Sequence, residues 1–151
     1  MTEAPGTEPI VKELRIGASP ETVFAFFTEP EKLTRWLCDE ATVDPRPGGV
    51  NHQRHPGDED NPNGPYRMRG EFIEVSPPSR VVFTWGYENP EINVPPGSST
   101  VEVTLKPDGG STRLRLVHRG LSGAARGPHA GGWEKMLARL AVAVTDGDPD
   151  A

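Results

Sequence analysis

Cysteine is nearly absent from this chain. Cys38 is the single one in 151 residues, so no internal disulfide can form, and a reduced, cytosolic setting is the simplest expectation. Long apolar runs are missing as well, and nothing approaches the length of a membrane span. Positive charge is short: 16 Lys and Arg stand against 22 Asp and Glu, for a net charge of −6. A nucleic-acid partner is therefore not expected, because such a surface needs a clustered basic face. The opening residues, MTEAPGTEP, lack the basic-then-apolar order of a secretory signal. Metal and nucleotide spacings are wanting too. None of the 4 histidines (His52, His55, His118, His129) has an i, i+4 partner or a cysteine beside it. Gly48-Gly49 and Gly131-Gly132 lack both the G-x-G-x-x-G context and a phosphate-loop lysine. Asp58-Glu59-Asp60 does not fit a calcium-loop pattern and reads as a solvated turn. No cofactor and no metal are expected.

What is present is a modest apolar fraction, 34 %, with 17 Gly and 17 Pro gathered in turns and tails. That combination reads as short strands joined by long loops. The strongest periodic stretch comes last. Trp133, Met136, Leu137, Leu140, Ala141 and Val144 fall on one helical face, with Glu134, Lys135, Ala138 and Arg139 opposite. Such a helix needs a cover, and the region from 40 to 119 supplies strands that can provide one.

Taken in order, residues 1–8 are expected to be a disordered leader, 9–145 one domain, and 146–151 a fraying tail. Ile10, Lys12, Leu14 and Ile16 share one parity of a first strand. Ser19 caps a short helix, Pro20 opens it, and Pro30 interrupts it before a second helix over 31–37. Residues 50–54 read as a brief strand, 55–65 as a mobile surface loop, and 66–76 as a strand with a bulge near Gly70–Phe72. Val81, Phe83, Trp85 and Tyr87 alternate along the most aromatic strand. Residues 100–106 and 112–119 form a one-sided hairpin around a turn at Pro107–Gly110. Glycine and proline between Gly120 and Gly132 predict a weak or broken start to the last helix. Strands in series followed by a helix make an α+β fold.

Three stretches carry a resemblance: RPGG at 46–49, GEFIEVSPPSRVVFTW at 70–85 and GWEKMLARL at 132–140, supported by SPETVFAFFTEPEKLTRWL at 19–37. Together they resemble the START-like helix-grip (SRPBCC, polyketide-cyclase-like) superfamily, over roughly residues 9–145. Within it the likeness is to the branch named for the activator of the 90-kDa heat-shock protein ATPase. The resemblance implies a curved antiparallel sheet of about six to seven strands wrapped around a long C-terminal helix. It also implies a cavity between sheet and helix. The superfamily holds lipid and hormone binders, cyclases, co-chaperone domains and antibiotic-sequestering proteins, so fold alone does not choose a function.

The residues expected to line that cavity are Trp36, Phe72, Phe83, Trp85, Tyr87, Leu114, Leu116, His118, Trp133, Met136, Leu137 and Leu140. Apolar walls with few polar groups suit a small-molecule pocket, although each of these side chains also fits a plain core role. Trp36, at the junction where such folds open, is the foremost candidate. His118 or Tyr87 would orient a polar ligand group, and His52 shares a parity with Val50; a buried imidazole held by a carbonyl is the commoner arrangement. Arg69 and Glu71 stay open as cavity residues because the bulge leaves their facing undecided. Arg113, Arg115 and Arg119 read as a solvated outer row. Catalysis has little support: Ser98, Ser99 and Ser111 lack an organised His/Asp partner, and Cys38 has no nearby base. The leading expectation is a non-catalytic cytosolic protein that binds a small hydrophobic or aromatic molecule, as monomer or homodimer. One alternative is a chaperone-associated regulator acting through its surface. Another is a cyclase or hydrolase of polyketide-like substrates, which needs an acid–base pair among His118, His52 and Glu71.

Overall fold

The structure is a computed structural model that describes residues 8–57 and 64–145. The expected leader, the tail, the acidic run at 58–60 and the middle of the 55–65 loop therefore lie outside the described residues, apart from Glu8. Ten elements follow one another: β1 (Ile10–Ile16), α1 (Pro20–Thr28), α2 (Pro30–Leu33), β2 (Glu40–Val43), β3 (Val50–His55), β4 (Tyr66–Ser76), β5 (Arg80–Trp85), β6 (Ser99–Asp108), β7 (Ser111–Arg119) and α3 (Gly123–Thr145). A single 3-10 turn, Pro90–Ile92, lies in the loop after β5. The strands form one seven-stranded antiparallel sheet in the order β1-β7-β6-β5-β4-β3-β2. This is the helix-grip α+β arrangement.

Local chemistry explains most of the boundaries. Ser19 Oγ accepts from the Thr22 amide and Pro20 opens α1, where its missing N–H costs nothing. The β6–β7 hairpin turns on Gly109 and Gly110 at φ +58 and +89, a pair that side-chain-bearing residues rarely adopt. In β4 the register shifts between Phe72 and Glu74, so Ile73 is extruded and 49 % exposed while Phe72 and Val75 both keep core contacts. One sheet face presents Phe72, Val81, Phe83, Val101, Val103, Leu105, Leu114 and Leu116, all at most 1 % exposed. It packs with Trp133, Leu137, Leu140 and Val144 of α3 and with the phenylalanines of α1 in one cluster. Each fully buried side chain of that size contributes about 1.5–3 kcal/mol before entropy is counted. The opposite face carries ions, with Glu74–Arg80–Glu102–Arg119 linked at 3.1, 3.0 and 2.6 Å.

Several expectations need correction. The second short helix ends at Leu33, and 34–37 form a turn in which Trp36 and Leu37 are still buried. β2, unforeseen as a strand, closes the sheet beside β3. β5 stops at Trp85; Tyr87 pairs with Met68 only through an isolated bridge. Gly86 between them lies against the Pro95 carbonyl, where any Cβ would collide. The largest correction is α3, which is helical from Gly123 through the whole glycine-rich segment, with Pro128 inside it. Tertiary anchors outweigh the poor propensity here. A local cap helps, since Ser122 Oγ accepts from the Ala125 amide at 3.4 Å, and the tertiary contact is made by Arg126. Arg126 donates to the carbonyls of Glu8 and Pro9 at 2.7 and 3.3 Å.

Candidate ligand cavity

A cavity of about 190 Å3 opens where the end of β5, the start of β4 and the glycine-rich turns of α3 converge. Its wall is mostly ring and alkyl surface: Trp85, Tyr87, Tyr66, Trp133, Met136 and Leu37, completed by Ile92, Pro56, Pro128, Gly132 and the imidazoles of His55 and His129. The volume is below the roughly 300–1,000 Å3 of pockets for drug-sized ligands, and close to the roughly 150 Å3 of an engineered cavity that takes benzene. Among the described residues, no Asp, Glu, Lys or Arg lines it.

The rings are held by hydrogen bonds whose directions can be worked out. His118 sits on the inner face of β7 and accepts from Trp133 Nε1 through Nδ1 at 2.9 Å. Its Nε2 therefore carries the proton and donates to Ser99 Oγ at 2.9 Å; Ser99 in turn donates to the Trp85 carbonyl at 2.6 Å. Both nitrogens are thus occupied, and burial pushes the His118 pKa down to about 3. A second chain runs along the wall itself. Trp85 Nε1 donates to Tyr87 Oη at 2.9 Å, Tyr87 Oη meets His129 Nε2 at 3.0 Å, and His129 Nδ1 meets the Ala125 carbonyl at 2.8 Å. Burial lowers the His129 pKa and raises that of Tyr87 to about 12. Trp85 is the hub: its ring lies 5.2 Å from Trp133, 5.5 Å from His55 and 5.9 Å from His118.

A third polar set lies on the inner face of β3, where His55 Nε2 donates to Gln53 Oε1 at 2.9 Å and Gln53 Nε2 donates to Asn51 Oδ1 at 3.0 Å. Asn51 Nδ2 is buried without a partner. Desolvation takes His55 down to about 4 despite the Asp39 charge and the Leu37 carbonyl. This face was misread from sequence. Val50 is the only apolar marker in β3, and at 40 % exposure it points outward. Pairing with Met68 and Gly70 turns Gln53 and Asn51 inward instead. His52 consequently lies on the outer side, and so do Arg69, ion-paired to Glu88 at 2.8 Å, and the exposed Glu71.

Of the twelve residues expected to line the cavity, the structure brings Trp85, Tyr87, Trp133 and Met136 to its wall. Phe72, Phe83, Leu114, Leu116, Leu137 and Leu140 are packed in the core away from it, and His118 stands behind Trp133. Trp36 is also displaced: its Nε1 donates to the Phe26 carbonyl and its ring meets Phe27 edge-on at 5.2 Å, so the neighbouring Leu37 reaches the wall. His55, Tyr66 and His129 were missed. The signals existed: His129 is one turn before Trp133 on the same stripe, and Tyr66 shares the parity of Met68 and Phe72.

The family model described as "Activator of Hsp90 ATPase homolog 1-like protein" matches residues 17–145. The chain belongs to this family. Solved structures agree on the fold. MLL2253 of Mesorhizobium loti is 22 % identical and superposes with a TM-score of 0.76 over 93 % of this chain and 99 % of its own. CalU16 of Micromonospora echinospora is 26 % identical at a TM-score of 0.70, covering 91 % and 76 %. DynU16, from the dynemicin biosynthetic locus, is 20 % identical at 0.71; this chain covers 46 % of it, and the match takes in 89 % of this chain. No curated protein matches the chain. Among the described residues, no helix of this family member is long and apolar enough to cross a membrane.

Proposed function

We propose that this family member is a non-catalytic binding domain whose cavity takes one small, largely apolar molecule. The observation that carries the reading is the walled space itself, apolar over most of its lining yet furnished with two fixed imidazoles and two tyrosines. A one-ring ligand burying about 150–250 Å2 gains roughly 4–6 kcal/mol from desolvation before ordering costs, which sets the affinity in the micromolar-to-millimolar range. Acid–base catalysis finds no support in the wall. His118 is fully committed, and His52 and Glu71 face away from the cavity. The buried, unpaired thiol of Cys38, its pKa raised to about 12 by burial, suits the reducing cytosol we propose as its setting. A chaperone partner rests on the family name alone.

Gly132 provides the test. It lines the cavity, and a Cβ built on it meets nothing within 4 Å. Gly132→Leu should fill the space while improving helix propensity by about 1 kcal/mol. A thermal-shift screen of uncharged one- and two-ring compounds should give stabilisers of the wild type that leave Gly132→Leu unmoved. Equal shifts for both proteins, or none for the wild type, would remove the cavity reading.

A further inference from the structure

This inference rests on the cavity reading above and specifies what the cavity accepts. The direction of each hydrogen bond in the wall decides it. The Ala125 carbonyl can only accept, so His129 Nδ1 holds the proton facing it and His129 Nε2 presents a lone pair. Tyr87 Oη must then donate its single proton to His129. Trp85 Nε1 can only donate, so it occupies one of the two lone pairs of that same oxygen. What remains at Tyr87 Oη is one lone pair and no proton. The oxygen stands between two wall residues and can serve a ligand only as an acceptor.

The other wall groups do not compete for that role. The Trp133 N–H is spent on His118. His55 is turned toward Gln53 and the Leu37 carbonyl. Tyr66 is part-exposed, so water can serve its hydroxyl. Charge is the second constraint. No ionic side chain among the described residues lines the cavity, so none of them offers a counter-charge to a buried carboxylate or ammonium there. Shape is the third. Trp85 and Trp133 lie 5.2 Å apart, and Tyr87 and His129 5.7 Å apart, so ring faces and edges make most of the wall.

We infer that the ligand is an uncharged, flat aromatic molecule bearing a hydrogen-bond donor, a phenol-like hydroxyl or a ring N–H, which it donates to Tyr87 Oη. A carbonyl or ether oxygen at that position meets a lone pair. A carboxylate meets both a lone pair and an uncompensated desolvation cost.

Calorimetric titration at pH 7 with 2-naphthol, 2-methoxynaphthalene and 2-naphthoate tests this, with the Met136 methyl resonance reporting that binding occurs in the cavity. The expected order is naphthol tightest, the methyl ether weaker by about tenfold, and naphthoate weakest. In the double variant Tyr87→Phe/His129→Leu, which removes the hydroxyl and also the His129 Nε2 lone pair that its loss would uncover, the preference for naphthol over its ether should shrink to about twofold or less. Indole against 1-methylindole on the wild type repeats the comparison with an N–H donor, and decides the matter if the double variant does not fold. Should the three naphthalenes bind alike, or naphthoate bind tightest, the ligand assignment is overturned and the cavity reading stands. If none of these compounds binds or moves the Met136 signal, both fall together.

Discussion

Lowering the pH from 7 to 5 should cost this fold about 4 kcal/mol through two imidazoles alone. Burial holds His118 and His55 at pKa values of about 3 and about 4, against 6.5 for an unburied imidazole. At pH 5 the unfolded chain takes up a proton at each position and the native protein does not. Each histidine therefore favours unfolding by about 2 kcal/mol, from the roughly 1.5 pH units that separate pH 5 from the unfolded value. This contribution is complete above pH 6.5 and drains away below it, levelling off only near the folded pKa values. His129, also depressed by burial, acts in the same direction. Carboxylates work in another window. Glu74, held down by Ser76 and Arg80, Glu88 by Arg69, and Glu102 by Arg119 and Arg80, keep their stabilisation at pH 5 and lose it only below 4.5. Urea unfolding followed by far-UV circular dichroism at pH 7, 6 and 5 measures the loss, which is large against a usual total of about 5–15 kcal/mol. In His118→Gln the loss between pH 7 and 5 should shrink by about 2 kcal/mol. If wild-type stabilities at pH 7 and pH 5 agree within about 1 kcal/mol, the imidazoles are not the buried neutral groups described, and the hydrogen-bond directions built on them fail.

Trp133→Phe removes the indole N–H that donates to His118 Nδ1 and should destabilise the fold by about 2–3 kcal/mol, read from the shift in the urea midpoint. Gly86→Ala drives a methyl into the Pro95 carbonyl and should lower Tm by about 5–10 °C in calorimetry. Gly131→Ala is the contrasting case: its Cβ meets nothing within 4 Å, it lies on a solvent-exposed turn of α3, and the substitution should raise Tm by about 2–4 °C.

The parts of the fold that sequence exposes are those where one physical signal dominates. Ser19-Pro20 announces α1, Gly109-Gly110 the hairpin, and the alternation Val101, Val103, Leu105 the inner face of β6. The bulge in β4 was legible because its apolar parity breaks there, although it falls at Ile73 and not at Gly70–Phe72 as expected. What failed did so for tertiary reasons. Arg126, through the Glu8 and Pro9 carbonyls, and His129, through Tyr87, hold the first turns of α3 against glycine and proline, and these partners are far away in sequence. β3 buries Asn51, Gln53 and His55 and exposes Val50, which inverts the usual marker of an inner face. The cavity inherits both errors, since its imidazoles come from these two segments. Of the aromatic residues expected at the cavity, Trp85, Tyr87 and Trp133 border it and Trp36, Phe72 and Phe83 do not, because core and wall residues share one chemistry. Only three-dimensional placement separates Phe83, which fills the core, from Trp85, which borders the space.

The Trp85–Trp133 pair has one consequence of an optical kind. Two indoles with ring centres 5.2 Å apart and planes inclined at 53°, each pinned by its own N–H bond, form a rigid chiral dimer of chromophores. Their strong ultraviolet transitions must couple, splitting into a paired positive and negative band in the circular dichroism spectrum that disappears when either ring is replaced. Because both rings border the same cavity, a guest lying against them changes that coupling directly. The protein thus carries a label-free spectroscopic gauge of its own interior.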